Sequence, residues 1–341
     1  MELETFSEES LKGIFMANDM NNSRKKFDSG RFDFLGKAKI LVPATVLLIV
    51  VGLILMATRG LNYGVDFAGG TEMQIKFEGS VGPDQVRSFL SEMGYSSASV
   101  QTFGEENEFL IRLESPKAPS ETEVQVLINA MVKKITDSLG EKFANEKPEI
   151  RRVDSVGPAV GEELKRNGIL AAFYSLILIL IYIGLRFDYK YAPGAVFCLF
   201  HDASIVLAVF AVLQKEVNVQ TLAAVLTLIG YSLNDTIVTF DRIRENEKLY
   251  PEASFYDIVN RSVNDTLSRT ILTGLSTFLS ILALYIFADG VIKDIAFTLM
   301  IGVVVGIYST VYIAAPLVIA YDKWESYQNQ VRLKRATTAK A

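Results

Sequence analysis

Residues 218–240 read NVQTLAAVLTLIGYSLNDTIVTF, an apolar run broken near its end by one carboxylate, Asp235. A helix of that length, at about 1.5 Å of rise per residue, can cross the roughly 30 Å hydrocarbon core of a bilayer. Five further apolar blocks lie at 39–58, 168–186, 192–213, 268–287 and 295–321. Of the 341 residues 50% are hydrophobic and 21% charged. A soluble domain has similar fractions, so the clustering and not the composition makes this a membrane protein with six spans.

The remaining composition narrows the function. A net charge of -5 gives no reason to expect nucleic acid. Cys198, the single cysteine, has no partner for an internal disulfide, and His201, the single histidine, has no second imidazole for a structural zinc. No metal or cofactor is expected. Without a Ser/His/Asp set around His201 intramembrane proteolysis is not expected, and the spans exclude a soluble enzyme.

Residues 1–36 are a polar tail with the basic run Arg24-Lys25-Lys26 and room for a short amphipathic helix over Leu11, Ile14 and Phe15. The first span, 37–58 with its flank, ends Leu55-Met56-Ala57-Thr58-Arg59 without a small-x-small cleavage site and reads as uncleaved. The second ends in Tyr182 to Phe187, rings and an arginine suited to headgroups. Pro43 and Pro193 are placed near span starts, where a missing N–H matters least.

Orientation follows the lysine and arginine bias of short loops. Arg186 and Lys190 follow span two; Arg242, Arg244, Lys248, Arg261 and Arg269 follow span four; Lys323, Arg332, Lys334, Arg335 and Lys340 lie in the tail. The opposite short loops hold only Lys215 and Lys293, each beside an acid. Both termini are therefore expected in the cytoplasm, with a cytoplasmic loop at 241–267, a cytoplasmic tail at 322–341, and 59–167 on the periplasmic face. The last five spans then occupy 168–321.

Segment 59–167 has the pattern of a small α+β domain. Met73, Ile75 and Phe77 alternate with polar neighbours as in a strand with one buried face. Val86, Phe89, Leu90 and Met93 follow helical spacing between Pro83 and Gly94. Val100 and then Phe109 to Leu113 read as strands joined by a polar turn at 104–107. Val124, Leu127, Ile128, Met131 and Ile135 mark a second helix, opened by Ser120 with Glu123 and stopped at Gly140. Ile150 to Val156 supplies a last strand. The order β-α-β-β-α-β is ferredoxin-like, an arrangement that carries no function by itself.

Hydrocarbon selects against ionisable groups; a mid-depth aspartate costs at least about 2.5–3.5 kcal/mol on insertion scales. Asp202 and Asp235 lie well inside spans, and Arg269 opens the fifth. Asp235 sits about five residues, or about 7–8 Å, from the end of its span, on the side from which Arg269 enters. An Asp235–Arg269 pair can act as a proton relay or as a static pair that fixes helix register, and Asp235 can also be a static hydrogen-bonded residue; the relay is preferred, because intramembrane ionisable groups mark pathways. His201 and Asp202 are adjacent, about 100° apart on a helix, and are not expected to face each other. Either can join a relay or hydrogen-bond to neighbouring helices. Asn234, Asp241 and Arg242 flank Asp235 as secondary relay or packing groups. Gly302 and Gly306 form a small-xxx-small face for close helix packing. Gly64-Val65-Asp66-Phe67-Ala68-Gly69-Gly70 matches neither GxGxxG nor a Walker loop and reads as a tight turn feeding the first strand of the domain.

Taken in order, these segments resemble the SecD/SecF family, and its SecF branch in particular. The resemblance is carried by Gly64 to Thr71 with Asp66, Gly69 and Gly70; by Val156-Gly157-Pro158 with Val160-Gly161; by Tyr182 to Phe187; and by His201-Asp202. It is carried further by Gly230 to Val238, by Phe240 to Asn246 and by Arg269-Thr270. It covers about residues 31 to 322. It implies a six-helix bundle of the resistance-nodulation-division type, half of a two-subunit unit, with an inserted α+β ferredoxin-like domain. It implies SecD, the SecYEG channel, YajC, an exported preprotein and the lipid bilayer as partners, in the bacterial inner membrane. It also implies use of the proton motive force to draw preproteins outward, with Asp235 and Arg269 as the relay positions. The competing readings are another half-size proton-driven exporter of lipids or small molecules, and a scaffold without transport. The first would normally need two large periplasmic loops where this chain has one, and the second would not need the intramembrane Asp and Arg.

Overall fold

The computed structural model describes residues 28–103, 107–116, 118–187 and 189–338, with side chains as far as Arg332. The tail helix over Leu11 to Phe15, the basic run at Arg24, most of the turn at 104–107 and the side chains of Lys334, Arg335 and Lys340 lie outside it.

Among the described residues, six helices are long and apolar enough to cross a membrane. They comprise α1 (Phe34–Arg59), α5 (Pro158–Arg186), α6 (Ala192–Leu213), α7 (Val219–Leu249), α8 (Phe255–Phe287) and a last one of three parts. Its parts are α9 (Gly290–Ser309), a π-helical turn (Thr310–Ala314) and α10 (Ala315–Thr338). Between α1 and α5 come β1 (Asn62–Tyr63), the one-turn helix α2 (Val65–Ala68), β2 (Gly70–Phe77), α3 (Pro83–Glu92), β3 (Ser99–Thr102), β4 (Glu108–Leu113), α4 (Glu121–Lys142) and β5 (Pro148–Val156). A last short strand, β6 (Glu216–Val217), joins α6 to α7.

The sheet order β3-β4-β2-β5, antiparallel throughout, is the ferredoxin-like order expected from the pattern. The alternation of β2 buries Met73, Ile75 and Phe77 completely against Val86, Phe89 and Leu90 of α3 and Ile135 and Leu139 of α4. Phe77 contacts both Phe109 and Phe143 edge to face, and Phe143 does the same with Phe89. Ser120 caps α4 by accepting the Glu123 amide at 3.3 Å. Two details of α4 differ from the sequence reading. Leu127 is exposed, because Val124, Ile128, Ile135 and Leu139 already fill the contact stripe. Gly140 does not end the helix, which continues to Lys142 and closes at Phe143, whose ring is drawn into the core.

In the membrane bundle α6 and the last helix are the most buried, while α1, α5 and α8 are largely exposed within this chain. The helix α1 packs on α6, and α9 packs on α7 and α8. Pro43 is not at a helix start; α1 begins at Phe34, capped by Asp33, so the proline lies inside it. Pro193 does occupy the first turn of α6. The stretch 241–267 is mostly helical, since α7 runs on to Leu249 and α8 starts at Phe255. Ion pairs knit this extension: Arg186 with Asp241 at 3.2 Å, and Arg242 with Asp265 and Glu245 at 2.7 Å each.

The small-residue face of α9 is a contact. A Cβ on Gly302 would stand 2.4 Å from the Leu228 side chain of α7, and one on Gly306 3.3 Å from Ser232. Gly302→Val is expected to cost about 1–3 kcal/mol by overpacking. The check is the fraction of protein surviving a heat step in detergent, with the exposed Val304→Leu unchanged.

Candidate functional site

Among the described residues, two polar clusters are built around carboxylates inside the spans, at Asp235 and at Asp202. The first is centred on Asp235 of α7. Thr270 of α8 donates to Asp235 Oδ1 at 2.7 Å, while Oδ2 is buried with no hydrogen-bond partner among the described residues. The cavity beside it is lined by Tyr231, Asn234, Arg269, Thr273 and Ile307 as well as by Asp235 and Thr270. Arg269 is therefore a wall of the Asp235 cavity, but no ion pair within 4.0 Å joins them among the described residues. The direct contact falls to the next residue, Thr270, because one step along α8 turns the side chain by about 100°.

The second cluster is centred on Asp202 of α6, which is fully buried. Its Oδ2 accepts from Ser232 of α7 at 2.5 Å and from Ser309 of α9 at 3.0 Å. Its Oδ1 lies 2.8 Å from Nδ1 of His201. The expectation that these neighbours would not face each other is therefore wrong. The 100° between them at the backbone is closed by side-chain lean, since Nδ1 is the ring nitrogen nearer the helix. His201 makes this polar contact within its own helix, whereas Asp202 bonds to two neighbouring helices. Cys198 donates to Ser309 at 3.0 Å, and Thr236 and Thr310 lie 3.0 Å apart. The π turn brings Thr310 into this set. Pro316, just beyond the turn, has no N–H for the carbonyl four residues back, and the ladder widens there.

Ser232 links the clusters, for it lines the Asp235 cavity and also donates to Asp202. Asn234 is exposed beside Asp235, while Asp241 and Arg242 belong to the ion pairs at the end of the bundle. The sequence reading missed Thr270, Ser232, Ser309 and Thr310. Their signal was hydroxyls inside apolar blocks, which alone rarely distinguish a network from helix glue.

A third element ties the α+β domain to the bundle. Residues 65–68 form one helical turn, and Gly69 and Gly70 follow with φ of 72° and 138°. A side chain at either would be strained there and would meet Pro158 Cα at 2.9 Å or the Leu113 carbonyl at 2.8 Å. Asp66 accepts the Val219 amide at 3.1 Å, Asn218 accepts that of Thr221 at 2.8 Å, and the Gly64 amide donates to the Val217 carbonyl at 2.9 Å. The glycine motif is therefore more than a turn: its aspartate caps the start of α7, the helix that carries Asp235.

Residues 135–324 match the family model for protein export membrane protein SecD/SecF, C-terminal, and residues 54–81 match that for the SecD/SecF GG motif. A protein translocase subunit SecF from Calditerrivibrio nitroreducens is 43% identical over 85% of this chain and 94% of its own length. The chain belongs to the SecD/SecF family. Within the family, a protein translocase subunit SecDF from Thermus thermophilus is 38% identical over 85% of this chain and 38% of its own length. The crystal structure of SecDF from Thermus thermophilus, a translocon-associated membrane protein, superposes with a TM-score of 0.75 at 36% identity. The match covers 91% of this chain and 41% of that one. The SecD/SecF GG motif region contains the joint at Gly64–Gly70, and the C-terminal family region contains Asp202, Asp235 and Arg269. The fold is thus a resistance-nodulation-division-like membrane half with an inserted domain, in a multi-pass membrane protein.

Proposed function

We propose that this chain is a SecF-type translocase subunit that works with SecD to promote preprotein export, driven by the proton motive force. The supporting observation is Asp235. A carboxylate inside a span, with one oxygen bonded to Thr270 and the other unpartnered among the described residues, has an open position for a proton beside a cavity that Arg269 also lines. Proton binding at Asp235 neutralises it and weakens its attraction to Arg269, and α7 and α8 then repack. Asp202, joined to α7 and α9 through Ser232 and Ser309, passes the shift to the rest of the bundle. The cap from Asp66 connects α7 to the α+β domain, which grips or releases the emerging chain.

In this proposal the domain at 59–167 faces the periplasm, both termini are cytoplasmic, and the bilayer is the bacterial inner membrane. The lysine and arginine bias supports that orientation. A relative in which SecD and SecF are one chain supports SecD as partner. The SecYEG channel, YajC and the preprotein complete the assembly. Purification of the tagged full chain in mild detergent is expected to bring down SecD and SecYEG, identified by mass spectrometry. Recovery of the chain without SecD, under conditions that keep SecYEG intact, would overturn the assignment.

A further inference from the structure

Where the α+β domain meets the bundle, two carboxylates share one guanidinium. Arg112 on β4 pairs with Glu72, its direct cross-strand partner on β2, at 3.4 Å, and also with Glu216 on β6. Beside this contact, Asn62–Tyr63 and Glu216–Val217 form a two-residue parallel ladder, and Arg112 Nη1 reaches Asn62 Oδ1 at 3.5 Å and the Tyr63 carbonyl at 3.4 Å. The side chains of Arg112, Glu72 and Glu216 are only 20%, 20% and 18% exposed. The triad carries two negative charges against one positive, in a place where burial limits how far water can screen the excess.

The surrounding charges do not make up the deficit. On β5, Asp154 is paired with Arg152. On the bundle side, Asp294 of α9 is paired with Lys215 at 2.9 Å. Lys165 of α5 lies over the Tyr63 ring at 4.1 Å. Each neighbouring cation is engaged elsewhere, so the carboxylates see mostly each other, Arg112, and the acids Asp154 and Asp294.

We propose that Glu72 and Glu216 hold one proton between them, and that this proton is a ligand which fastens the α+β domain to the membrane bundle. Burial first, and then the Glu216 charge, push the Glu72 carboxyl up to about 7, and burial raises Glu216 as well. The sign follows from linkage. Separated from the joint, Glu72 would return to its ordinary value of 4.5 and release the proton. The closed joint binds more protons than the open one between those values. It is therefore tightest at low pH and loosens as pH rises through about 7. This site is distinct from Asp235 and does not rest on its role. Protons on the domain's own side of the bundle would close the joint, and with it the contact of Asp66 to the start of α7.

The test uses the full chain in nanodiscs with no gradient, so a failure here does not bear on the gradient-driven reading. Amide hydrogen exchange, corrected for intrinsic rate, is followed at residues 62–64 and 216–219 at pH 6 and pH 8. Protection in the wild type is expected to fall about tenfold across that range, the change that one proton held up to about 7 allows. In Glu72→Gln it should stay high at both values. An infrared band of a protonated carboxyl, present at pH 6 and lost at pH 8, should vanish in the same variant. Should Glu72→Gln disturb the sheet, Glu216→Gln removes the other half of the pair from outside the domain and must give the same loss of pH dependence. Protection that is independent of pH in the wild type, or that still falls in both variants, would overturn the proposal.

Discussion

Asp235→Asn is expected to abolish the gradient-dependent component of export while leaving the protein folded and assembled. Asparagine keeps an oxygen for Thr270 Oγ1 to donate to, at the position where Asp235 Oδ1 accepts now at 2.7 Å. Its amide takes the place of Oδ2, which has no protein partner among the described residues to lose. The structural cost is therefore held to about 1 kcal/mol, the size of one net hydrogen bond. The functional cost is larger. Moving one charge through 100 mV is worth about 2.3 kcal/mol, a bias of roughly fifty-fold between two states. A side chain that cannot change charge forfeits all of it. The measurement is preprotein translocation into inverted membrane vesicles with and without an imposed gradient, the variant's level in the membrane being checked in parallel. If Asp235→Asn translocates with the wild-type gradient response, the carboxylate is not the proton carrier, and a static hydrogen-bonded role with Thr270 takes over at this position.

How far the sequence could be read follows from which forces act locally. The strand alternation at Met73, Ile75 and Phe77 and the stripe at Val86, Phe89 and Leu90 were legible because one buried face imposes its period on the chain. The six spans were legible because hydrocarbon imposes length and composition at once. The pairings were not. Asp235 stood out as a charge in a span, but only three-dimensional placement assigns its hydrogen bond to Thr270 and not to Arg269. The His201–Asp202 contact was missed because helical angle describes where Cβ atoms point, not where flexible side chains end. Glu72, Arg112 and Glu216 looked like ordinary polar positions. Their residue numbers are far apart, and burial of two acids around one arginine arises only when the domain docks. Leu127 misled because hydrophobicity marks a helix face more widely than the core can use.

Asp202→Ala is expected to destabilise the bundle by about 3–5 kcal/mol, the range for removing one partner of a buried charged network. Asp202 is the acceptor on which three helices converge: His201 from its own helix, Ser232 from α7 and Ser309 from α9. Alanine leaves His201 and Ser232 without this acceptor and Ser309 with only the Gly306 carbonyl at 3.1 Å, and a buried unsatisfied group costs about 1–3 kcal/mol. It also leaves a void between tightly packed helices, since Gly302 and Gly306 hold α9 against α7 at Leu228 and Ser232. Thermal unfolding in detergent, followed by loss of the monodisperse elution peak, measures the effect. Asp202→Asn keeps one acceptor oxygen and should recover part of the stability. The two substitutions divide the roles of this residue. A variant that is stable as asparagine but loses the gradient response would make Asp202 a second protonation step. Stability that tracks activity in both would make it the tie through which α6 feels the movement of α7 and α9. An alanine variant as stable as the wild type would show that the buried carboxylate is not what holds these three helices together.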